Sequence, residues 1–331
     1  MDEQIERLHH LQRSGPHTPR GRRRRAVLSS GGSESALRRE LRYSERVRLS
    51  HGLTLDLPRV TELDDGEHPS PSEAVAALQA LTDGTPHLVS HGTAAVLHGM
   101  QDWPPLPPFT ISSPPGLGPL RRSGVVDGRR ASLRDEDVWE VGSLRLTSPA
   151  RTWVDCAEEL SVVESLVMAD RAIRVPSPRW EGRSEPIATV EELLEALEAR
   201  KGRRGVKTAR EALLLARLGS DSPQETRLRF ALWQAGLPEP AVNEWVLNSW
   251  GDRVYKPDLS FPEFRVGIQY EGEVHSGAKR VRKDVRRGEV AASLGWIEVR
   301  ITGDHARSSW RAAVRKIVDA LYSRGWNPPT R

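Results

Sequence analysis

Asp258, Gln269 and Glu271 are the residues whose types and spacing best suit a divalent-cation site. They lie in Pro257-Asp258-Leu259-Ser260-Phe261, then Pro262-Glu263, then Arg265-Val266-Gly267-Ile268-Gln269-Tyr270-Glu271-Gly272-Glu273-Val274-His275. Side chains alternate faces along a strand. Asp258 therefore shares a face with Ser260, and Gln269 with Glu271, while Val266 and Ile268 point the other way. A tight turn between the two strands brings Asp258 beside Gln269 and Glu271. Oxygen donors converging on one point suit Mg2+ or Mn2+, hard cations that keep several waters. Such an ion polarises a phosphodiester and activates a water. Simpler roles exist: Asp258 as a strand-entry residue, Glu271 as a surface acid at a strand end. An unpartnered acid inside an apolar hairpin is costly, which favours a functional Asp258.

The elements that must position these residues read as α-β-β-β-α-β-α. A helix starts at Ser222 and ends before Gly236, and strands follow at about 242–248, 254–261 and 265–271. A second helix spans about 278–294, a strand runs from Trp296 to Thr302, and a last helix covers about 305–323. That order suits a sheet with helices on both faces. Ser222-x-x-Glu225 with Pro223 at the first helical position has the form of a capping box, a structural role open to Glu225 beside any role toward a metal. The run Lys279-Arg280-x-Arg282-Lys283-Asp284-x-Arg286-Arg287 puts six bases in nine positions. It covers more than one helix face and fits either a solvated surface or, beside a metal, contact with phosphates. Trp233, Trp245, Trp296 and Trp310 read as core residues rather than base-stacking platforms.

This ordered set resembles the PD-(D/E)XK nuclease superfamily, and within it the very-short-patch-repair-like endonuclease domain. The resemblance spans roughly residues 222–322 and rests on six pieces of sequence. These are Glu225 in Ser-Pro-Gln-Glu-Thr-Arg-Leu-Arg, Pro257-Asp258, Gln269-Tyr270-Glu271-Gly272, His275, Asp284 with Arg287, and Leu294-Gly295-Trp296. It implies a restriction-endonuclease-like αβββαβα α/β domain over 221–327 and a Mg2+- or Mn2+-dependent DNA endonuclease. Asp258 would be the metal-binding aspartate. Gln269 stands where the superfamily usually has glutamate, and Glu271 where many members have the catalytic lysine. Glu225 would contact the metal through water. His275, Asp284 and Arg287 would form an outer group near the scissile phosphate, and Lys279, Arg280, Arg282, Lys283 and Arg286 would hold the DNA backbone. Gln269 is neutral, though its amide oxygen can ligate a metal. With no lysine on the third strand, Lys256 or Lys283 would have to substitute. These departures sustain an alternative: a catalytically impaired DNA-binding regulator that keeps the fold as a scaffold.

In the N-terminal half, Ser90-His91-Gly92-Thr93-Ala94-Ala95-Val96-Leu97-His98-Gly99 and Thr147-Ser148-Pro149-Ala150-Arg151-Thr152-Trp153-Val154-Asp155 resemble segments of the abortive-infection type IV antitoxin family. In that family these follow a DNA-binding winged helix. The resemblance implies a mixed α+β region over 31–175, with a degenerate winged helix at about 31–60 and a toxin or defence-system partner. His91 and His98 share a helix face, but two histidines without a third ligand make a poor zinc site. Cys156 reads as a buried small residue.

Around these segments the chain reads as a disordered basic arm over 1–30, helices at about 72–82 and 92–99, and one helix from about 148 to 173. A linker over 176–188 and a helical connector over 189–220 follow. At 331 residues the chain has room for about two domains. Its single cysteine excludes a disulfide framework and a zinc ribbon. No apolar run approaches the ~18 residues of a membrane span, so no membrane partner is expected. The opening residues lack the apolar stretch of a secretory signal, so the expected compartment is the cytoplasm. Of 49 basic residues only six are lysine. That bias fits guanidinium forks on phosphate and a GC-rich genome alike, so composition permits nucleic acid without arguing for it.

Overall fold

The computed structural model describes residues 46–50, 53–56, 71–82, 84–101, 108–141, 144–176, 185–271, 278–307 and 309–328. The chain divides into two units, Met1–Leu160 with Ser177–Ala209, and Ser161–Pro176 with Arg210–Arg331. Among the described residues no helix is long and apolar enough to cross a membrane.

In the first unit β1 (Arg46–Ser50) and β2 (Leu53–Asp56) pair antiparallel, where the alternation of Val47, Leu49, Leu53 and Leu55 predicts extended chain. The remainder of the expected winged helix and the arm over 1–30 lie outside the described residues. After α1 (Pro71–Thr82) come β3 (Leu88–Val89), α2 (His91–Leu97), β4 (Phe109–Ser113), β5 (Val126–Arg130), β6 (Val138–Val141) and β7 (Leu144–Thr147). The last five strands form one mixed sheet in the order β5-β4-β3-β7-β6. Leu78 and Leu81 of α1 pack on Val89, Phe109, Ile111 and Leu146 from the sheet. The segments Ser90–Gly99 and Thr147–Asp155 supply polar cross-links in this unit. Ser112 Oγ donates to Ser90 Oγ at 2.8 Å, and Thr110 N donates to Thr93 Oγ1 at 2.8 Å, fastening α2 to β4. The buried Arg151 donates from Nε to Asp155 Oδ2 and from Nη1 to Asp137 Oδ2, each at 2.9 Å. A buried charge needs such partners to avoid an uncompensated desolvation cost.

The single helix expected over about 148–173 is two, α3 (Pro149–Cys156) and α4 (Val162–Ile173). Ser161 starts the second by accepting from Glu164 N at 3.3 Å, the N-cap chemistry of a short hydroxyl side chain. The expected domain boundaries shift with that break. Helix α4 groups with the C-terminal unit, and α5 (Val190–Ala199) with the N-terminal one. The physical reason lies in Asp170 of α4, which is 1% exposed. Its Oδ2 accepts from Arg229 Nη2 and from Thr226 Oγ1, and its Oδ1 from Arg217 N, all at 2.8 Å.

The second unit continues with the end of α6 (Val206–Leu215), then α7 (Pro223–Gln234), β8 (Ala241–Val242), β9 (Val246–Leu247), β10 (Arg253–Tyr255), β11 (Leu259–Phe261) and β12 (Val266–Glu271). Helix α8 (Ala278–Ser293), β13 (Ile297–Thr302), α9 (Gly303–Arg307) and α10 (Arg311–Ser323) complete it. Two of the expected strands are each broken. The stretch near 242–248 becomes β8 and β9, and that near 254–261 becomes β10 and β11. β9 and β10 pair with each other, while β8 and β11 join a four-stranded sheet in the order β13-β12-β11-β8. Pro257, which lacks an N–H for a ladder, separates β10 from β11. β11 and β12 are antiparallel, and β12 and β13, joined through α8, are parallel. A parallel pair needs such a crossover. The expected last helix is interrupted at Ser309 and Trp310, whose φ values of 53° and 64° turn the chain. Trp310 thereby joins the core and meets the Tyr270 ring at 6.0 Å.

Period-2 alternation gives the sheet two unlike faces. Leu259, Phe261, Val266, Ile268, Val299 and Ile301 pack with Leu228 and Leu232 of α7 and Ile317 and Leu321 of α10. Asp258, Ser260, Gly267, Gln269, Glu271, Glu298 and Arg300 fall on the other face, against which α8 places Gly288 near Arg300.

Candidate functional site

The register of the β11–β12 ladder pairs Leu259 with Ile268 and Ser260 with Gly267, so Asp258 falls opposite Gln269. Asp258 N donates to Ile268 O at 3.0 Å, and Asn243 N donates to Asp258 O at 2.9 Å, so its backbone is held from both neighbouring strands. Its carboxylate accepts from Gln269 Nε2 at 2.5 Å and from the Tyr270 backbone N–H at 2.6 Å. Burial pushes the Asp258 carboxyl above its ordinary range, while the Tyr270 N–H, the Gln269 amide and the Arg287 charge pull it back. With its nitrogen turned to Asp258, Gln269 leaves Oε1 buried and without a hydrogen-bond partner. Glu271 lies two residues along the same face, its Oε1 buried and 3.5 Å from Arg300 Nη1.

Glu225 enters from the first turn of α7. Glu225 N donates to Ser222 Oγ at 3.3 Å, so the expected cap forms. The reciprocal bond differs from a plain capping box: Glu225 Oε2 accepts from Asp221 N at 3.0 Å, and Oε1 accepts from Ser222 Oγ at 2.8 Å. Asn243 Nδ2 adds a third donor to the carboxylate, reaching Oε2 at 2.8 Å. Burial, and then the nearby Asp258 charge, raise the Glu225 carboxyl to about 7. Asn243 was not anticipated. It has φ of 52°, a left-handed conformation that asparagine tolerates better than most residues. From there it ties Glu225 and Gly219 O to the strand that carries Asp258.

The basic residues divide. Arg287 Nε donates to Glu298 Oε2 at 3.1 Å, and Arg300 Nε donates to Glu298 Oε1 at 3.0 Å. Glu298 and Arg300 carry no motif, and parallel pairing alone places them beside Gly267 and Gln269. Lys256 sits 3.7 Å from Asp221 Oδ2, paired away from the third strand. Arg286 is exposed on α8. Lys279, Arg280, Arg282, Lys283 and Asp284 follow the backbone of α8, with side chains outside the described residues, and His275 is outside them altogether. Among the described residues no three His, Cys, Asp or Glu side chains cluster as metal ligands. Any oxygen site here therefore depends on the Gln269 amide beside two carboxylates.

The tryptophan expectation is partly overturned. Trp310 is buried, but Trp233 is 50% and Trp245 46% exposed. The most exposed is Trp250, at 84%, in the turn between β9 and β10. Asn248 Oδ1 accepts from Trp250 N and Asp252 N, both at 2.9 Å, so this turn holds an aromatic ring outward on a fixed backbone. In the N-terminal unit His91 and His98 do not converge. His91 Nδ1 lies 3.0 Å from Ser90 Oγ, and His98 Nε2 lies 2.7 Å from Thr147 O, with burial lowering His98 to about 4. Cys156 is buried, which pushes its thiol up.

With this geometry established, comparison with known sequences gives relatives of the same length scale. No family model matches the chain. Over 235 residues it is 29% identical to uncharacterized proteins of two Mycobacterium tuberculosis strains, covering 70% of this chain and 80% of theirs. These relatives carry no stated activity.

Proposed function

We propose that the C-terminal unit is a restriction-endonuclease-like, PD-(D/E)XK-type domain acting on DNA phosphodiesters with a bound divalent cation. The observation that carries this reading is the meeting of Asp258 and Gln269 side chains at 2.5 Å on adjacent strands, with Glu271 on the same face. The donor set fits a hard cation in its chemistry. Gln269 Oε1 and Glu271 Oε1 are buried oxygens without hydrogen-bond partners, and Mg2+ sites commonly use one or two carboxylates and keep several waters. The charge balance points the same way. Among the described residues this face carries Asp258, Glu271 and Glu298 against Arg287 and Arg300, an acid excess that repels a phosphodiester until a cation offsets it. When bound, that ion would supply Lewis acidity toward the phosphate.

The chain's own residues do the rest in this reading. The Tyr270 N–H keeps the Asp258 carboxylate oriented, Asn243 and Ser222 hold Glu225, and Arg287 is presented by Glu298. The basic run on α8 holds the DNA backbone without reading its sequence. Trp250, exposed in the turn between β9 and β10, offers a flat face on which a base could stack. The test is cleavage of supercoiled, nicked and mismatched DNA with Mg2+ or Mn2+. Metal-dependent cleavage lost in Asp258→Ala supports the reading, and no cleavage by the wild type, or undiminished cleavage by Asp258→Ala, removes it.

A second reading, a DNA-binding regulator of the antitoxin kind with an impaired site, is favoured by the neutral Gln269 donating to Asp258. Sequence-selective mobility shifts on the protein's own promoter, without cleavage, would support it.

A further inference from the structure

Gln269 makes one strong hydrogen bond and forgoes another. Its Nε2 donates to Asp258 Oδ1 at 2.5 Å, while its Oε1 is buried and accepts from no donor. The Tyr270 N–H takes the other Asp258 oxygen at 2.6 Å, so both oxygens of this carboxylate are engaged. A carboxylate oxygen accepts and does not donate. The amide is therefore held with its nitrogen toward Asp258 and its oxygen turned away. As a device for the fold alone, this pairing is poorly built. The bond to Asp258 comes with a buried acceptor that has lost water and gained no donor, which is costly.

That stranded oxygen lies one amide rotation away from Asp258. The backbone on both strands is fixed: Gln269 is paired in register with Arg300 on β13, and Asp258 N donates to Ile268 O at 3.0 Å. The terminal torsion of a glutamine side chain is broad and roughly two-fold. A half-turn of the amide exchanges Nε2 for Oε1 without moving either strand. Two oxygens then face each other, and they repel unless a positive charge lies between them. A hard divalent cation supplies that charge and accepts amide oxygens as well as carboxylates.

We propose that Gln269 is a cation-dependent latch on Asp258. With its nitrogen inward it occupies Asp258 Oδ1, and with its oxygen inward it is a neutral ligand beside that carboxylate. A cation must then displace an existing charge-assisted hydrogen bond, and it gains only one negative charge from this pair of residues. The latch makes cation binding weak and sets the Mg2+ or Mn2+ concentration at which the site fills. Glutamate at 269 would have no donor to latch with and would add a second charge. This proposal rests on the cation site put forward above.

The experiment titrates the full chain with Mg2+ and Mn2+ by calorimetry at fixed pH and salt, comparing wild type, Gln269→Glu and Asp258→Ala. Crystals of the wild type grown with Mn2+ then locate the ion by its anomalous scattering. Weak binding by the wild type and none by Asp258→Ala are expected, and Gln269→Glu should bind roughly tenfold more tightly or better. The Mn2+ should lie at coordination distance from both Asp258 and the Gln269 side-chain oxygen. A Gln269 that only braces Asp258 would keep its hydrogen bond with the ion in place. Mn2+ on Asp258 with that hydrogen bond intact overturns the latch and leaves the cation site standing. Equal affinity in Gln269→Glu and wild type, with binding still lost in Asp258→Ala, does the same. Should Gln269→Glu fail to fold, the Mn2+ structure decides alone. Absence of binding by all three proteins removes the site and the latch together.

Discussion

Replacing Glu225 by glutamine tests whether this buried acid carries a proton in the folded protein near neutrality. Glu225 is 6% exposed and its carboxyl is raised from 4.5 to about 7, first by burial and then by the Asp258 charge. A carboxyl whose folded pKa exceeds its unfolded one binds protons more tightly when folded. Its contribution is therefore fully present below pH 4.5 and is lost as pH rises through about 7. At about 1.4 kcal/mol per pH unit of difference, the loss across that window is about 3 kcal/mol. Glutamine keeps the shape without the titration. With its oxygen at the Oε2 position it still accepts from Asp221 N and Asn243 Nδ2, and its amide nitrogen donates to Ser222 Oγ in place of the present bond. Urea unfolding of both proteins between pH 4.5 and 8 measures the difference directly. Other buried acids titrate in both proteins and cancel. The wild type should lose about 3 kcal/mol relative to Glu225→Gln as pH rises, so that the variant is relatively most stable at pH 8. A stability difference that stays flat with pH would refute the assignment of a protonated Glu225 and the electrostatic coupling to Asp258 that goes with it.

Three further outcomes follow from the packing. Arg229→Ala strands Asp170, whose partner lies at 2.8 Å with both side chains nearly fully buried, and should cost about 3–5 kcal/mol in chemical denaturation. In Gly267→Ala the new Cβ would meet Cζ of Tyr255 at 3.0 Å, costing about 1–3 kcal/mol. Adding Tyr255→Phe should recover part of that loss, because the hydroxyl is the nearest atom to the new group. Trp250→Ala should leave the melting temperature nearly unchanged, since the ring is 84% exposed, yet weaken single-stranded DNA binding by about 1–3 kcal/mol in an anisotropy titration.

Local chemistry explains what could be read from the chain order. Ser222, Pro223 and Glu225 announce the start of α7 because a cap is built within four residues, and the observed bonds are those that short polar side chains make there. The two-residue alternation from Val266 to Glu271 sorts Gln269 and Glu271 away from Val266 and Ile268, and the short connection to β11 brings Asp258 opposite Gln269. Helices α7 and α8 and strands β12 and β13 fall within a residue or two of their expected limits. The breaks inside the expected strands and helices were missed because they answer to distant partners. Trp310 adopts a left-handed backbone to reach Tyr270, forty residues upstream in chain order.

Pattern and propensity along the chain thus determine the succession of elements, the polar face of the hairpin and the cap at Glu225. Tertiary structure alone decides that Asp170 secures α4 to α7 through Arg229, that Asn243 joins Glu225 to the Asp258 strand, and that Glu298 and Arg300 stand beside Gln269. The division has a physical cause. Caps and alternation involve residues a few positions apart, whereas these contacts depend on a parallel register and on buried charges finding partners across long loops, which no local spacing encodes.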